Sequence, residues 1–114
     1  MRFRVKHSEE GFVVEALAKG GRRRGYLKTA ILVGEVVVDA SGIDRDYRRQ
    51  GIGRAMYRRA AKVACEEYGD PLTSAGEEYR SPEANGFWRA EVKAGVAVEE
   101  PTDGVFLYPC KRRR

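Results

Sequence analysis

The sequence is poor in the residues that hold metals and staple small secreted domains. It has two cysteines, Cys65 and Cys110, and one histidine, His7, in 114 residues. The cysteines have neither metal-ligand nor CxxC spacing, so no structural zinc site is expected and no metal ligand is assigned. Two isolated cysteines lead to the expectation of reduced thiols and a cytoplasmic location. No window approaches the roughly 18 uncharged apolar residues of a membrane span. The opening Met1-Arg2-Phe3-Arg4-Val5-Lys6 lacks the apolar core of a signal peptide, and no membrane partner is expected. Linker-like stretches and repeats are absent too, which leaves one domain spanning residues 1–114.

Charge is present, but unevenly. There are 22 Lys+Arg against 17 Asp+Glu. Arg22-Arg23-Arg24 and Lys111-Arg112-Arg113-Arg114 hold seven of the basic residues, and the remainder is slightly acidic, 15 against 17. Such clusters attract phosphate-bearing partners, nucleic acid included, or simply form a solvated loop and tail.

Period-two alternation of Phe3 and Val5 with Arg2, Arg4 and Lys6 predicts a first strand. The turn chemistry of Ser8-Glu9-Glu10-Gly11 and the apolar run Phe12 to Ala18 complete a hairpin over residues 2–18. Lys19 to Gly25 reads as a Gly/Arg loop. Tyr26 to Val33 is a third strand, and Val36-Val37-Val38 opens a fourth that ends near Ser41-Gly42-Ile43, where Gly42 suits a bulge. From Gly51 to Tyr68 the period lengthens: Ile52, Met56, Ala60, Val63 and Ala64 share one helical face. Gly69-Asp70-Pro71 stops that helix. A short strand, Leu72 to Ala75, follows. Ser81-Pro82 is an N-cap with proline at the first helical position, and the helix turns Ala84, Phe87, Trp88 and Val92 inward and ends at Gly95. Val96 to Val98 and Val105 to Cys110 make a last hairpin. The order ββββαβαββ places the chain in the mixed α/β class.

The segment Asp44-Arg45-Asp46-Tyr47-Arg48-Arg49-Gln50-Gly51-Ile52-Gly53-Arg54 joins a buried strand to an amphipathic helix. Glycines there let a ligand approach the backbone, the free N–H groups of the helix start point the same way, and its dipole favours an anion. Arg45, Arg48, Arg49 and Arg54 add positive charge. The chemistry suits a phosphate or pyrophosphate; a strand–helix turn with exposed arginines is the alternative. A dinucleotide fingerprint would need glycine where Met56 stands, and a P-loop would need Gly-Lys-Ser/Thr; both fail.

Arg48-x-x-Gly51-x-Gly53 resembles the Arg/Gln-x-x-Gly-x-Gly/Ala pyrophosphate loop of the GNAT superfamily of N-acetyltransferases. It follows a Val-rich strand, has Tyr47-Arg48 in the usual place and opens a helix. The later Ala84-x-x-Phe87-Trp88 and Gly95-Val96 are similar to the family's second strand–helix–strand unit. The resemblance covers roughly residues 26–110. It implies a GNAT-like acyl-CoA N-acyltransferase fold, acetyl-CoA as the acyl donor with coenzyme A as product, and direct transfer to a primary amine, a protein lysine or another macromolecular acceptor. Within it, the N–H groups of Gln50, Gly51, Ile52, Gly53 and Arg54 would cradle the pyrophosphate, flanked by Arg48 and Arg49. Ser41, Gly42 and Ile43, with Arg45 following, would pair with the pantetheine arm. The Ile43 N–H would stabilise the developing oxyanion. Glu77 or Glu78, then Asp39, are the candidate bases. No covalent intermediate is needed, so neither cysteine has to be a nucleophile.

Two departures from the family pattern stand out. Trp88 occupies the position where many members carry a tyrosine that protonates the leaving thiolate, so Trp88 reads as a wall against the cofactor, and Tyr79, Tyr108 or water would donate the proton. The turns Ser8 to Gly11 and Lys19 to Gly25 are too short for the helices that usually wall the acceptor site. A compact member without those helices would have an open acceptor side, or would take its wall from a second copy in a homodimer. Non-catalytic coenzyme A binding and basic nucleic-acid binding remain the alternatives.

Overall fold

Alternating side chains build the first half of the chain into a meander. β1 (Arg2–His7) pairs antiparallel with β2 (Phe12–Leu17), β2 with β3 (Arg23–Leu32), and β3 with β4 (Glu35–Ile43). In this computed structural model, which describes residues 1–110, the order of elements is the expected one. α1 (Ile52–Val63), continued by a π-helical turn at Ala64–Tyr68, crosses over to β5 (Leu72–Thr73). α2 (Pro82–Lys93) and the hairpin of β6 (Val98–Glu99) and β7 (Phe106–Tyr108) complete a seven-stranded sheet of order β1-β2-β3-β4-β5-β7-β6. Among the described residues only the β4–β5 pair is parallel.

The helix boundaries follow their local chemistry. Gly69, at φ 72°, stops the first helix. Ser81 Oγ accepts the Ala84 N–H at 3.1 Å, with Pro82 opening α2. Ile52, Met56, Ala60, Val63 and Ala64 are all buried against the face of the sheet that carries Phe12, Val14, Leu27, Val36 and Val38. α2 joins that same side through Trp88, which stacks on Phe106 at 6.0 Å. The opposite sheet face, bearing Arg2, Arg4, Lys6, Glu15, Tyr26 and Lys28 by alternation, has no helix over it among the described residues.

Four local expectations are corrected. Arg23, Arg24 and Gly25 belong to β3 rather than to a loop, because Gly25 pairs with both Ala16 and Ile43. The extra residue in β4 is Asp39, not Gly42: Lys28 faces Ala40, and the next residue, Thr29, faces Val38. Gly42 has another reason to be glycine, since a Cβ there would lie 3.0 Å from the Tyr26 ring. The last strands are shorter than the apolar runs suggested, Val98–Glu99 and Phe106–Tyr108, because the N–H groups of Val96 and Ala97 bond back to the Glu91 carbonyl instead of joining the sheet. Finally, the cysteines are not free. Cys65 in the π-helical turn and Cys110 after β7 are joined, their Cα atoms 5.6 Å apart. A separation of 45 residues hid this pairing, and it removes the thiol argument for a reducing compartment. Among the described residues no helix is long and apolar enough to cross a membrane.

Candidate active site

The parallel pair β4–β5 holds together over two residue pairs only, Val36 with Leu72 and Val37 with Thr73. Beyond them the strands part. β4 stays with β3 through the Asp39 bulge, whereas Ser74 stays with β7, its N–H bonded to the Phe106 carbonyl and its Oγ accepting the Phe106 N–H. A bulge on one strand and a tether on the other thus open a V at the C-terminal ends of both. A cavity of about 220 Å³ lies there. Its β4 wall is Val38 to Ser41, its β5 side is Ala75, Tyr79 and Arg80, and Trp88 and Tyr57 line it from the two helices.

Arg80 braces the β5 side of the V. Its Nη1 donates to the carbonyls of Ala75 and Gly104 at 2.8 and 2.9 Å, and its Nε donates to Asn85 Oδ1 at 2.7 Å. Its guanidinium also lies over the Phe106 ring. On the β4 side, the Asp44 N–H bonds to the Arg24 carbonyl at 2.7 Å. Alternation therefore turns the peptide groups of Ser41 and Ile43 away from β3 and toward the opening. The Ile43 carbonyl accepts from Arg48 Nε at 3.1 Å, which anchors the loop that follows.

That loop ends in an exposed helix start. Arg49 (φ 64°) and Gly51 (φ 79°) both adopt left-handed backbone conformations. A non-glycine residue held there is strain of the kind found at ligand clamps. The first α1 bond runs from the Ala55 N–H to the Gly51 carbonyl, so the N–H groups of Ile52, Gly53 and Arg54 have no partner within the helix. Nothing would meet a Cβ at Gly51 within 4 Å, so the space before it is open, while a Cβ at Gly53 would sit 3.1 Å from Ile43 Cδ1. These donors and glycines fit a pyrophosphate group.

The candidate residues are distributed unevenly about the V. Asp39, Ser41, Tyr79 and Trp88 line the cavity. Glu77 and Glu78 sit in a 3-10 turn and line a shallower concavity with Gly76 and Asp103. Gly42 pairs with Tyr26 of β3. The side chain of Arg54 turns to Glu91, 3.2 Å away, so only its N–H faces the loop. Tyr79 is 81% exposed. The Tyr108 hydroxyl donates to Glu91 Oε2 at 2.7 Å; burial and the adjacent Glu91 raise its pKa above the ordinary tyrosine value. His7 lies elsewhere, against Tyr68 and Glu67 at the end of the first helix.

Tyr57 carried no sequence signal as a site residue. It is buried between the helices, edge-on to Trp88 at 5.6 Å, with its hydroxyl 3.4 Å from Ser41 Oγ. Burial raises its pKa, and the Ser41 contact only partly opposes this. An aromatic residue beside Met56 on a core face is indistinguishable by period from packing.

Comparison with known proteins agrees with this geometry. No curated protein matches at the sequence level. The structure is similar to the ribosomal-protein-S18-alanine N-acetyltransferase of Escherichia coli, with a TM-score of 0.69 and 17% identity over 95% of this chain and 74% of that one. It is also similar to the anti-CRISPR protein AcrVA5 (TM-score 0.57, 20% identity, 75% of this chain and 90% of that one). The coenzyme A complex of the PaiA N-acetyltransferase from Thermoplasma acidophilum matches at a TM-score of 0.59 and 16% identity, over 88% of this chain and 60% of that one. The sheet, its two helices and the splayed strands are those of the acyl-CoA N-acyltransferase fold. The acetyltransferase (GNAT) family itself matches residues 2–90, and the chain belongs to that family of acyltransferase enzymes.

Proposed function

We propose that residues 1–114 form one acetyltransferase domain that moves an acetyl group from acetyl-CoA directly to a primary amine, the amine being a lysine on a protein. The observation that carries this reading is the V between β4 and β5, whose cavity lies at the same strand ends as the unpartnered helix start of α1. The relatives found in complex with coenzyme A support the choice of donor. The N–H groups from Gln50 to Arg54 hold the pyrophosphate, with Arg45, Arg48 and Arg49 beside it. Ser41 offers its peptide groups to the pantetheine arm, while the Ile43 carbonyl holds Arg48. The Ile43 N–H stabilises negative charge on the thioester oxygen. Asp39 accepts the amine proton from its place in the cavity wall; Glu77 and Glu78 stand outside that wall and suit recognition of a cationic acceptor. Trp88 packs the far wall.

The macromolecular acceptor is supported by what is missing. The turns at Ser8–Gly11 and Ala18–Arg22 are closed tightly, by backbone hydrogen bonds of 2.8 and 2.9 Å, so among the described residues no helix stands between the site and a large surface. A nucleic-acid partner finds less support. Arg23 is paired with Glu15 and Arg24 with Asp44, and the Lys111 to Arg114 cluster lies outside the described residues.

Calorimetric titration with acetyl-CoA tests the donor. Wild type should bind, and Gly51→Glu should lose binding, because it adds bulk and negative charge before the cradle at φ 79°. Equal binding by the two would refute the pyrophosphate assignment. Mass spectrometry of a lysate incubated with protein and acetyl-CoA should then reveal acetylated lysines. Their absence, with acetyl-CoA binding intact, would favour a non-catalytic coenzyme A-binding role.

A further inference from the structure

We propose that Tyr57 is the proton donor to the leaving thiolate, taking over from the first helix the task that Trp88 cannot perform from the second. This deepens the reading above and rests on it. The cavity between β4 and β5 is lined by three tyrosine or tryptophan side chains: Tyr57, Tyr79 and Trp88. Trp88 carries an indole N–H, which is a donor of hydrogen bonds but not an acid. Tyr79 is largely in water, and the Tyr108 hydroxyl already donates to Glu91 outside this cavity. Tyr57 differs from all of them. It is 7% exposed, and its hydroxyl meets Ser41, a β4 residue whose peptide group faces the opening.

The surroundings fix that hydroxyl. Phe87 lies against the Tyr57 ring at 4.3 Å and Trp88 meets it edge-on at 89°. Against these two neighbours the ring presents its oxygen to β4, at Ser41. Burial keeps the group protonated at neutral pH, as a donor must be. Trp88 thus acquires a second part: it packs the ring that replaces it.

The chemistry balances. The amine nitrogen forms a bond to the thioester carbonyl carbon, and a carbonyl electron pair moves to oxygen beside the Ile43 N–H. That pair returns as the carbon–sulfur bond breaks, leaving its electrons on sulfur. The Tyr57 O–H proton passes to sulfur, giving the free thiol. The proton shed by nitrogen goes to Asp39 and from there, through water and the Ser41 hydroxyl, to the tyrosinate, so no net proton is taken up or lost.

The test separates this inference from the one beneath it. Binding of coenzyme A and of desulfo-coenzyme A, which lacks the sulfur, is measured by calorimetry at a pH where the thiol is ionised. Wild type should prefer coenzyme A by about tenfold, the worth of a hydrogen bond to a charged group. Tyr57→Phe should bind both alike, at the wild-type affinity for the desulfo compound. With an acetylatable amine, Tyr57→Phe should lower kcat by about 10- to 100-fold with KM for acetyl-CoA unchanged. A measurement on the unaltered protein guards against misfolding of the variant: tyrosinate absorbance in a pH titration should move to higher pH with coenzyme A and not with the desulfo compound. No discrimination by wild type, or the same discrimination in Tyr57→Phe, overturns the Tyr57 assignment alone. Failure of wild type to bind either compound overturns the coenzyme A site as well.

Discussion

Two buried glutamates on opposite sides of the sheet each hold two arginines, and they do so differently. Glu91, 0% exposed, sits where α1, α2 and β7 meet. Arg58 grips it through Nε and Nη2, both at 3.1 Å; Arg54 adds a contact at 3.2 Å and the Tyr108 hydroxyl one at 2.7 Å. Glu15 lies on the face without helices. Arg4, directly opposite on β1, reaches it at 2.9 Å, and Arg23 reaches it from β3 at 3.4 Å while covering the Tyr26 ring. The covered side uses a carboxylate to lock elements together. The open side uses one to tie Arg4 of β1 and Arg23 of β3 across β2, and their stems lie on a face that no helix covers among the described residues.

Removing the central carboxylate should show the largest difference between the two sides. Glu91→Ala strands the buried Tyr108 hydroxyl, releases both arginines and leaves a void under α2. An unsatisfied buried hydroxyl and a lost charged hydrogen-bond network together cost about 3 kcal/mol or more. Chemical denaturation should show that loss as a lower midpoint at unchanged slope. A loss under about 1 kcal/mol would mean that the two helices are held by their aromatic contacts alone.

Acid should erase part of that difference. Burial alone would raise the Glu91 carboxyl, but the Arg58 and Tyr108 hydrogen bonds and the charges of Arg58 and Arg54 outweigh it and hold its pKa below the ordinary carboxylate value. Glu15 is lowered in the same way, by Arg4 first, then by Lys6 and Arg23. A carboxyl whose native pKa is depressed contributes stability that is complete above its unfolded pKa and lost as pH falls through the native one. Wild type should therefore lose stability from about pH 5 downward, and the gap between wild type and Glu91→Ala should narrow over the same window. A gap constant from pH 7 to pH 3 would show that the Glu91 charge contributes nothing.

The sequence displayed the covered side better than the open one. Ile52, Met56, Ala60 and Val63 recur at helical spacing because a helix meets the sheet along one stripe, and that repeat survives in any packing of the two. Ser81-Pro82 and Gly51-x-Gly53 are legible for a related reason: capping and left-handed turns depend on local backbone chemistry. What stayed hidden depends on partners distant in the chain. The Asp39 bulge exists only relative to β3. Cys65 and Cys110 meet only after the sheet has closed. Glu91 occupies an inward helical position, and nothing local announces its partner Arg58, 33 residues away. Arg23 and Arg24 read as a loop for the same reason, although Glu15 and Asp44 draw them into β3.

The smallest expected effect is the one that most sharpens the contrast. Glu15→Ala removes a carboxylate that two arginines share, as Glu91→Ala does. The arginines are about half exposed on both sides, but among the described residues no buried hydroxyl depends on Glu15, whereas Tyr108 depends on Glu91. Each guanidinium can turn into water once released, at the cost of its lost contact only. The loss should be about 1 kcal/mol and should shrink further in high salt, as for other solvent-accessible ion pairs. Glu91→Ala should keep most of its larger loss in salt, because a stranded hydroxyl and a void are not screened. If Glu15→Ala instead proves as costly and as indifferent to salt as Glu91→Ala, the arginine cover is a sealed layer. A small, salt-sensitive loss would mean that Arg4 and Arg23 leave that face at little cost.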